Sequence, residues 1–118
     1  EYISSGVLGE IEVKKYSHLY VELIDNLNTF HPEMLDTEQY KNVVECLLKI
    51  GKFDDADRWA NLSIERQPNM EQSYLNALNV KYKTEQWDDF KIILDKMLKS
   101  GAQLSQKGIG VVRFWNRK

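Results

Sequence analysis

"DTEQYKNVVECLLKIGKFDDADRWANLSIERQP", residues Asp36–Pro68, decides the fold class, because it holds two helical signatures with a glycine between them. Tyr40, Val43, Val44 and Leu47 fall at i, i+3, i+4 and i+7, which is one face of an α-helix. Ahead of them, Asp36 and Gln39 have the spacing of a capping box, in which each side chain satisfies a helix-end amide that has no partner inside the helix. Gly51 supplies the left-handed residue that ends a helix at low steric cost. Beyond it Phe53, Ala56, Ala60 and Ile64 trace a second helical face, closed by Pro68. The segment reads as helix, tight turn, helix.

The same unit returns further along the chain. "KFDDAD" (Lys52–Asp57) and "QWDDFK" (Gln86–Lys91) align at an offset of 34 residues. That offset also brings Tyr40 onto Tyr74, and Val43-Val44 onto Ala77-Leu78 and then Val111-Val112. In the second copy Asn69 and Gln72 are expected to cap the first helix, while Trp87, Phe90, Leu94 and Met97 line the second, ended by Gly101. Phe53 and Trp87 are expected to fill the space between the two helices of each unit. The aspartates after them fall in a first helical turn, where the macrodipole favours negative charge. Consecutive helix residues diverge by about 100°, so these pairs do not converge on one proton or metal ion.

Outside these copies the pattern weakens. Residues 1–34 read as a degenerate earlier helix pair, with one apolar face at Ile3, Val7, Leu8 and Ile11 and another at Tyr16, Leu19, Leu23 and Leu27. Residues 105–118 read as a capping helix, although Gly108 and Gly110 each cost about 1 kcal/mol of helix propensity relative to alanine. The chain of 118 residues is thus one all-α domain: a unit at 1–34, repeats at 37–70 and 71–104, and a cap at 105–118.

Composition restricts function mainly by exclusion. A single cysteine, Cys46, cannot form an internal disulfide or a cysteine-based zinc site, and it lacks a basic neighbour that would make it a nucleophile. It fits a reducing compartment, slightly favouring the cytoplasm over an extracytoplasmic setting. His18 and His31 lie thirteen residues apart, and Glu22, four residues after His18, is the one carboxylate at helical spacing from either, too few ligands for a metal site; "NLS" at Asn61–Ser63 sits inside a helical pattern, and no apolar run has membrane-spanning length. No catalytic constellation, metal site, cofactor motif or small-molecule site is expected. Charge is uneven: all 18 acidic residues lie at or before Asp95, and Lys96, Lys99, Lys107, Arg113, Arg117 and Lys118 follow unopposed.

These units resemble the tetratricopeptide repeat family, on Tyr40, Val43, Val44, Leu47, Phe53, Ala56 and Pro68 in one copy. In the next, Tyr74, Ala77, Leu78 and Trp87 keep the pattern, while Lys81, Phe90 and Ala102 depart from it. The resemblance implies a right-handed superhelix of antiparallel helix pairs, about three pairs plus the cap, with first helices lining an inner groove. Mapped onto this chain, the groove is expected to hold Lys41, Asn42, Glu45 and Leu48 from one repeat, Leu75, Asn76, Asn79 and Tyr82 from the next, and Arg113 and Arg117 from the cap. The members of that family that clamp a chaperone's carboxyl terminus need basic and amide groups where Glu45, Gln106 and Gly110 stand, which argues against that ligand.

The resulting expectation is a non-catalytic adaptor that holds a peptide or partner helix in this groove. Two other classes compete with it: a structural or regulatory domain of a larger protein, docking on a parent chain or an anionic membrane surface through its basic end, and a nucleic-acid binder using the basic aromatic tail. The sequence pI of about 5.7 and the lack of a second basic stripe weigh against the last. Self-association is expected if the glycines fray the cap and open the face around Leu94, Met97 and Leu98.

Overall fold

The computed structural model describes residues 6–118, and Ile3, with the side chains of Val7 and Leu8, lies outside what is described. The described residues are helical throughout, with no strand: α1 (Gly6–Phe30), a single 3-10 turn (Pro32–Met34), α2 (Thr37–Lys49), α3 (Phe53–Arg66), α4 (Glu71–Lys83), α5 (Trp87–Lys99) and α6 (Gln106–Asn116). α2 and α4 begin 34 residues apart, as do α3 and α5, so the sequence period is also the period of the helix ends. α1 packs on α2, α2 on α3, α3 on α4 and α4 on α5, and α2 packs on α4 as well.

Helix ends follow local chemistry. Asp36 accepts from the Gln39 amide at 2.9 Å and Gln39 Oε1 accepts from the Asp36 amide at 3.0 Å, completing the capping box that starts α2. At the other end Gly51 adopts φ +77°, and the Lys52 and Gly51 amides donate to the Leu47 and Leu48 carbonyls. This is the Schellman arrangement, which needs one left-handed residue. The expected cap of α4 is corrected: Met70 occupies that place and no side chain caps it. The preceding turn is closed instead by the Ser73 hydroxyl donating to the Gln67 carbonyl at 2.9 Å and the Tyr74 phenol to the Pro68 carbonyl at 2.6 Å. Gln72 turns along its own helix to Asn76 at 2.9 Å.

The core runs along the interior of α2 to α5, through Tyr40, Val43, Val44, Leu47, Ala56, Trp59, Ala60, Ala77, Leu78, Phe90, Leu94 and Met97, with Ile24 entering from α1. Cys46 is buried among them as a small apolar residue. Two expectations fail here. Phe53 is 44% exposed, and the large side chain that fills its repeat is Trp59, whose ring lies 6.1 Å from that of Tyr40. Residues 6–30 form one helix of 25 residues instead of a pair, since nothing between Ile11 and Tyr16 breaks the chain.

Candidate functional site

Two adjoining cavities form one groove along the first helices of the repeats. The larger, about 420 Å³, is bounded by Glu45 of α2, by Gln72, Leu75, Asn76, Leu78, Asn79 and Tyr82 of α4, by Phe90 of α5, and by Lys107, Gly110, Val111 and Phe114 of α6. A second, about 390 Å³, continues past Glu45 and Asn79 to Leu48, Lys49, Phe53 and Lys83. The wall of the larger cavity is mostly apolar, and its polar groups are amides with single charges at Glu45 and Lys107, whereas the second adds Lys49 and Lys83. That combination suits a side-chain anchor flanked by backbone.

An aromatic cluster shapes the inner end. Tyr82, half-exposed, meets Trp87 and Phe114 edge-on, with ring centroids 5.8 and 5.7 Å away. Phe114 also lies 6.1 Å from Phe90, and Trp115 stacks on Phe90 at 5.5 Å. The Lys118 ammonium sits 4.0 Å from the Trp87 ring centroid, a cation–π contact. Edge-to-face aromatic pairs are worth about 1 kcal/mol beyond their buried area, so this cluster holds α6 against the second repeat.

The start of α6 is fixed from α4. The Ser105 amide and hydroxyl each donate to the Glu71 carboxylate at 2.8 Å, and the Ser105 hydroxyl in turn accepts from the Gly108 amide at 3.4 Å. A Cβ on Gly108 would collide with Glu71 Oε2, so the glycine is what lets that carboxylate approach. Gly110 faces open space on the groove wall. The cap is therefore helical, and of the face around Leu94, Met97 and Leu98 the first two are buried while Leu98 is 49% exposed.

Six of the ten expected groove residues meet along these cavities: Glu45, Leu48, Leu75, Asn76, Asn79 and Tyr82. Asn76 is only 3% exposed, and its amide is already engaged by Gln72 and, at 3.4 Å, by the Ser63 hydroxyl. Lys41 lies outside the cavities, paired with Glu38 at 3.3 Å. Asn42 lies beside the Tyr20 phenol of α1; burial pushes that phenol above its ordinary pKa and the neighbouring Asn42 side chain opposes the shift. Arg113 and Arg117 are exposed away from the groove, because the docking of Phe114 and Trp115 on Phe90 turns Lys107, Gly110 and Val111 inward instead. The signal for those inward residues was the spacing of Lys107, Gly110, Val111 and Phe114, which share a helical face.

Lys81 is the one lysine buried among the described residues, 9% exposed. Its ammonium lies 3.1 Å from Asp57 Oδ1 of α3 and 3.8 Å from Asp89 Oδ2 of α5, and donates to Gln86 Oε1 at 3.4 Å. The Asp57 contact is Coulombic, since it lacks hydrogen-bond alignment. No group of three or more His, Cys, Asp or Glu is placed to hold a metal ion among the described residues, and no helix there is long and apolar enough to cross a membrane. Comparison of the chain with family models, with characterised proteins and with solved structures found no match, so its likeness to any family rests on its own residues.

Proposed function

We propose that this chain is a non-catalytic protein-interaction module of tetratricopeptide-like architecture, a short right-handed superhelix whose inner groove holds a peptide or partner helix. The observation that carries the reading is the groove: apolar side chains from α4, α5 and α6 enclose a cavity large enough for one or two anchoring side chains, rimmed by the amides of Gln72 and Asn79. Support for the architecture comes from the 34-residue period of the helix ends and from the packing of α2 on α4. A radius of gyration of 15.2 Å, against about 13.5 Å for a globular chain of this length, fits a stack.

Gly110 offers a clean test, because its Cβ would enter open space while a leucine there would fill the cavity. Displayed random peptides should be enriched by the native chain for an apolar anchor, and Gly110→Leu, with its helical circular dichroism unchanged, should lose at least tenfold in affinity for them. Failure to enrich any peptide, or enrichment indifferent to Gly110→Leu, would sink the groove reading.

A further inference from the structure

The groove differs in sign from the chain that carries it. Its charged side chains are Glu45, Lys49, Lys83 and Lys107, three cations against one anion, in a chain whose formal net charge is −2. Lys41, Lys81 and Lys91 are each paired with a carboxylate. Lys49, Lys83 and Lys107 are exposed and take part in none of the ion pairs among the described residues, and neither does Glu45. Glu10, which borders a different cavity with Lys49, is likewise unpaired with it.

The repeat brings two of these cations together. Lys49 and Lys83 stand at the ends of α2 and α4, which pack on each other, and both border the second cavity with Leu48, Asn79 and the exposed Phe53. A lysine in a last turn offsets the macrodipole whichever way it points, so its place on the groove is a separate fact. α2 ends and α3 begins at this cavity, where opposite helix-end charges offset each other, and Asp54 and Asp55 of that first turn do not border it. Its one acid, Glu45, lies on the side shared with the apolar cavity. Along α4 the apolar cavity runs from Gln72 to Tyr82 and the basic one from Asn79 to Lys83. Their centres are thus about four residues apart, or ~6 Å, which an extended peptide covers in about two residues.

We propose that the ligand of the groove is an acidic peptide segment, in which an apolar side chain enters the cavity of α4, α5 and α6 and an Asp or Glu about two residues away pairs with Lys49 and Lys83. This rests on the groove reading above and adds the chemistry of the ligand to it. Exposed ion pairs contribute little each, so the two lysines supply selectivity and speed of association more than affinity. Glu45 repels a carboxylate placed nearer the anchor, which fixes the offset between anchor and acid and acts against wrong sequences.

Selection from displayed random peptides tests this and separates it from the groove reading. The native chain should enrich an apolar anchor with Asp or Glu at a fixed offset. Lys49→Glu combined with Lys83→Glu should keep the anchor and exchange the acid for Lys or Arg; Lys49→Gln combined with Lys83→Gln, which leaves the helix ends uncharged, should keep the anchor and lose the acid. In fluorescence anisotropy a selected acidic peptide should bind the glutamate pair about tenfold more weakly than the native chain, by a margin that shrinks with salt, and Glu45→Gln about threefold more tightly. An anchor with no charged neighbour, or with a basic one, in the native selection overturns the proposal and leaves the groove reading standing, as does an acid preference that both lysine variants retain. No anchor at all, or one indifferent to Gly110→Leu, overturns the groove reading and this proposal with it.

Discussion

Leu47 and Lys81 stand 34 residues apart at the same place in consecutive repeats, and the surroundings of each explain why one is apolar and the other charged. Leu47 closes a packed interior with Val43, Val44 and Ala56. Lys81 reaches Asp57 and Asp89, one from each flanking second helix. Ala56, buried in the same core as Tyr40 and Trp59, corresponds to Phe90, against which Phe114 and Trp115 lie. Exposed Phe53 corresponds to Trp87, half-buried in the same aromatic cluster. The first repeat is finished by its own helices, whereas the second is finished by α6. The aromatic cluster lies between the second repeat and α6 because Phe90, which departs from the pattern, receives Phe114 and Trp115.

The largest effect should come from breaking the charged core of the second repeat while leaving its counterpart alone. Asp57→Ala leaves the buried Lys81 ammonium with Asp89 at 3.8 Å and Gln86 as its partners. Asp57 is itself about a third exposed, so the cost falls below that of a fully buried pair, at about 2 kcal/mol in urea unfolding. Lys81→Leu, which writes the first repeat's residue into the second, should stay within about 1 kcal/mol of the native stability, because well-packed apolar residues replace buried ion pairs at little loss. An equal loss in both variants would show that Lys81 is held by packing of its stem and not by charge.

A smaller effect separates the two turns. Gly51 and Glu85 occupy equivalent places, with φ +77° and +56°, and the amides after them close the same bonds, Lys52 to Leu47 and Gln86 to Lys81, each at 2.9 Å. Only glycine takes that conformation without steric cost. Gly51→Ala should therefore destabilise by about 1 kcal/mol and Glu85→Gly should stabilise by a similar amount, read as opposite shifts of the thermal midpoint. A destabilising Glu85→Gly would mean that the Glu85 side chain does something the geometry of the turn does not record.

Much of this was legible before any coordinates, and the gaps share a cause. The Asp36 cap, the Gly51 stop and the 34-residue period are set by neighbours in sequence, so local chemistry specified them. Rotation of a helix about its own axis is set by what it touches. In α1 the stripe of Tyr16, Leu19 and Leu23 is more regular than the one through Ser17, Val21 and Ile24, yet the second is buried, and periodicity cannot choose between two apolar faces. In α6 the aromatic contacts of Phe114 and Trp115 fixed the rotation, and turned Arg113 outward. The buried Trp59 went unread because it follows three aspartates and an arginine, a context that looks solvated.

The smallest expected effect concerns the two glycines of α6, equivalent in propensity and different in surroundings. A methyl group at Gly110 meets nothing within 4 Å, so Gly110→Ala should recover helix propensity and stabilise the chain by about 0.5–1 kcal/mol. At Gly108 the same methyl displaces the Glu71 carboxylate, and with it two hydrogen bonds of 2.8 Å that fix Ser105 and the start of α6. Glu71 is a flexible side chain and can swing aside, so the lost bonds offset the gained propensity, and Gly108→Ala should be neutral or destabilising by about 1 kcal/mol. Pairing each glycine variant with Glu71→Ala sharpens the contrast. If the carboxylate is the reason for Gly108, removing it should let Gly108→Ala stabilise as Gly110→Ala does, whereas Gly110→Ala should gain the same amount in either background. Equal effects at both positions in the native background would mean that α6 is held by its aromatic face alone, and that the glycine beside Glu71 has no structural role.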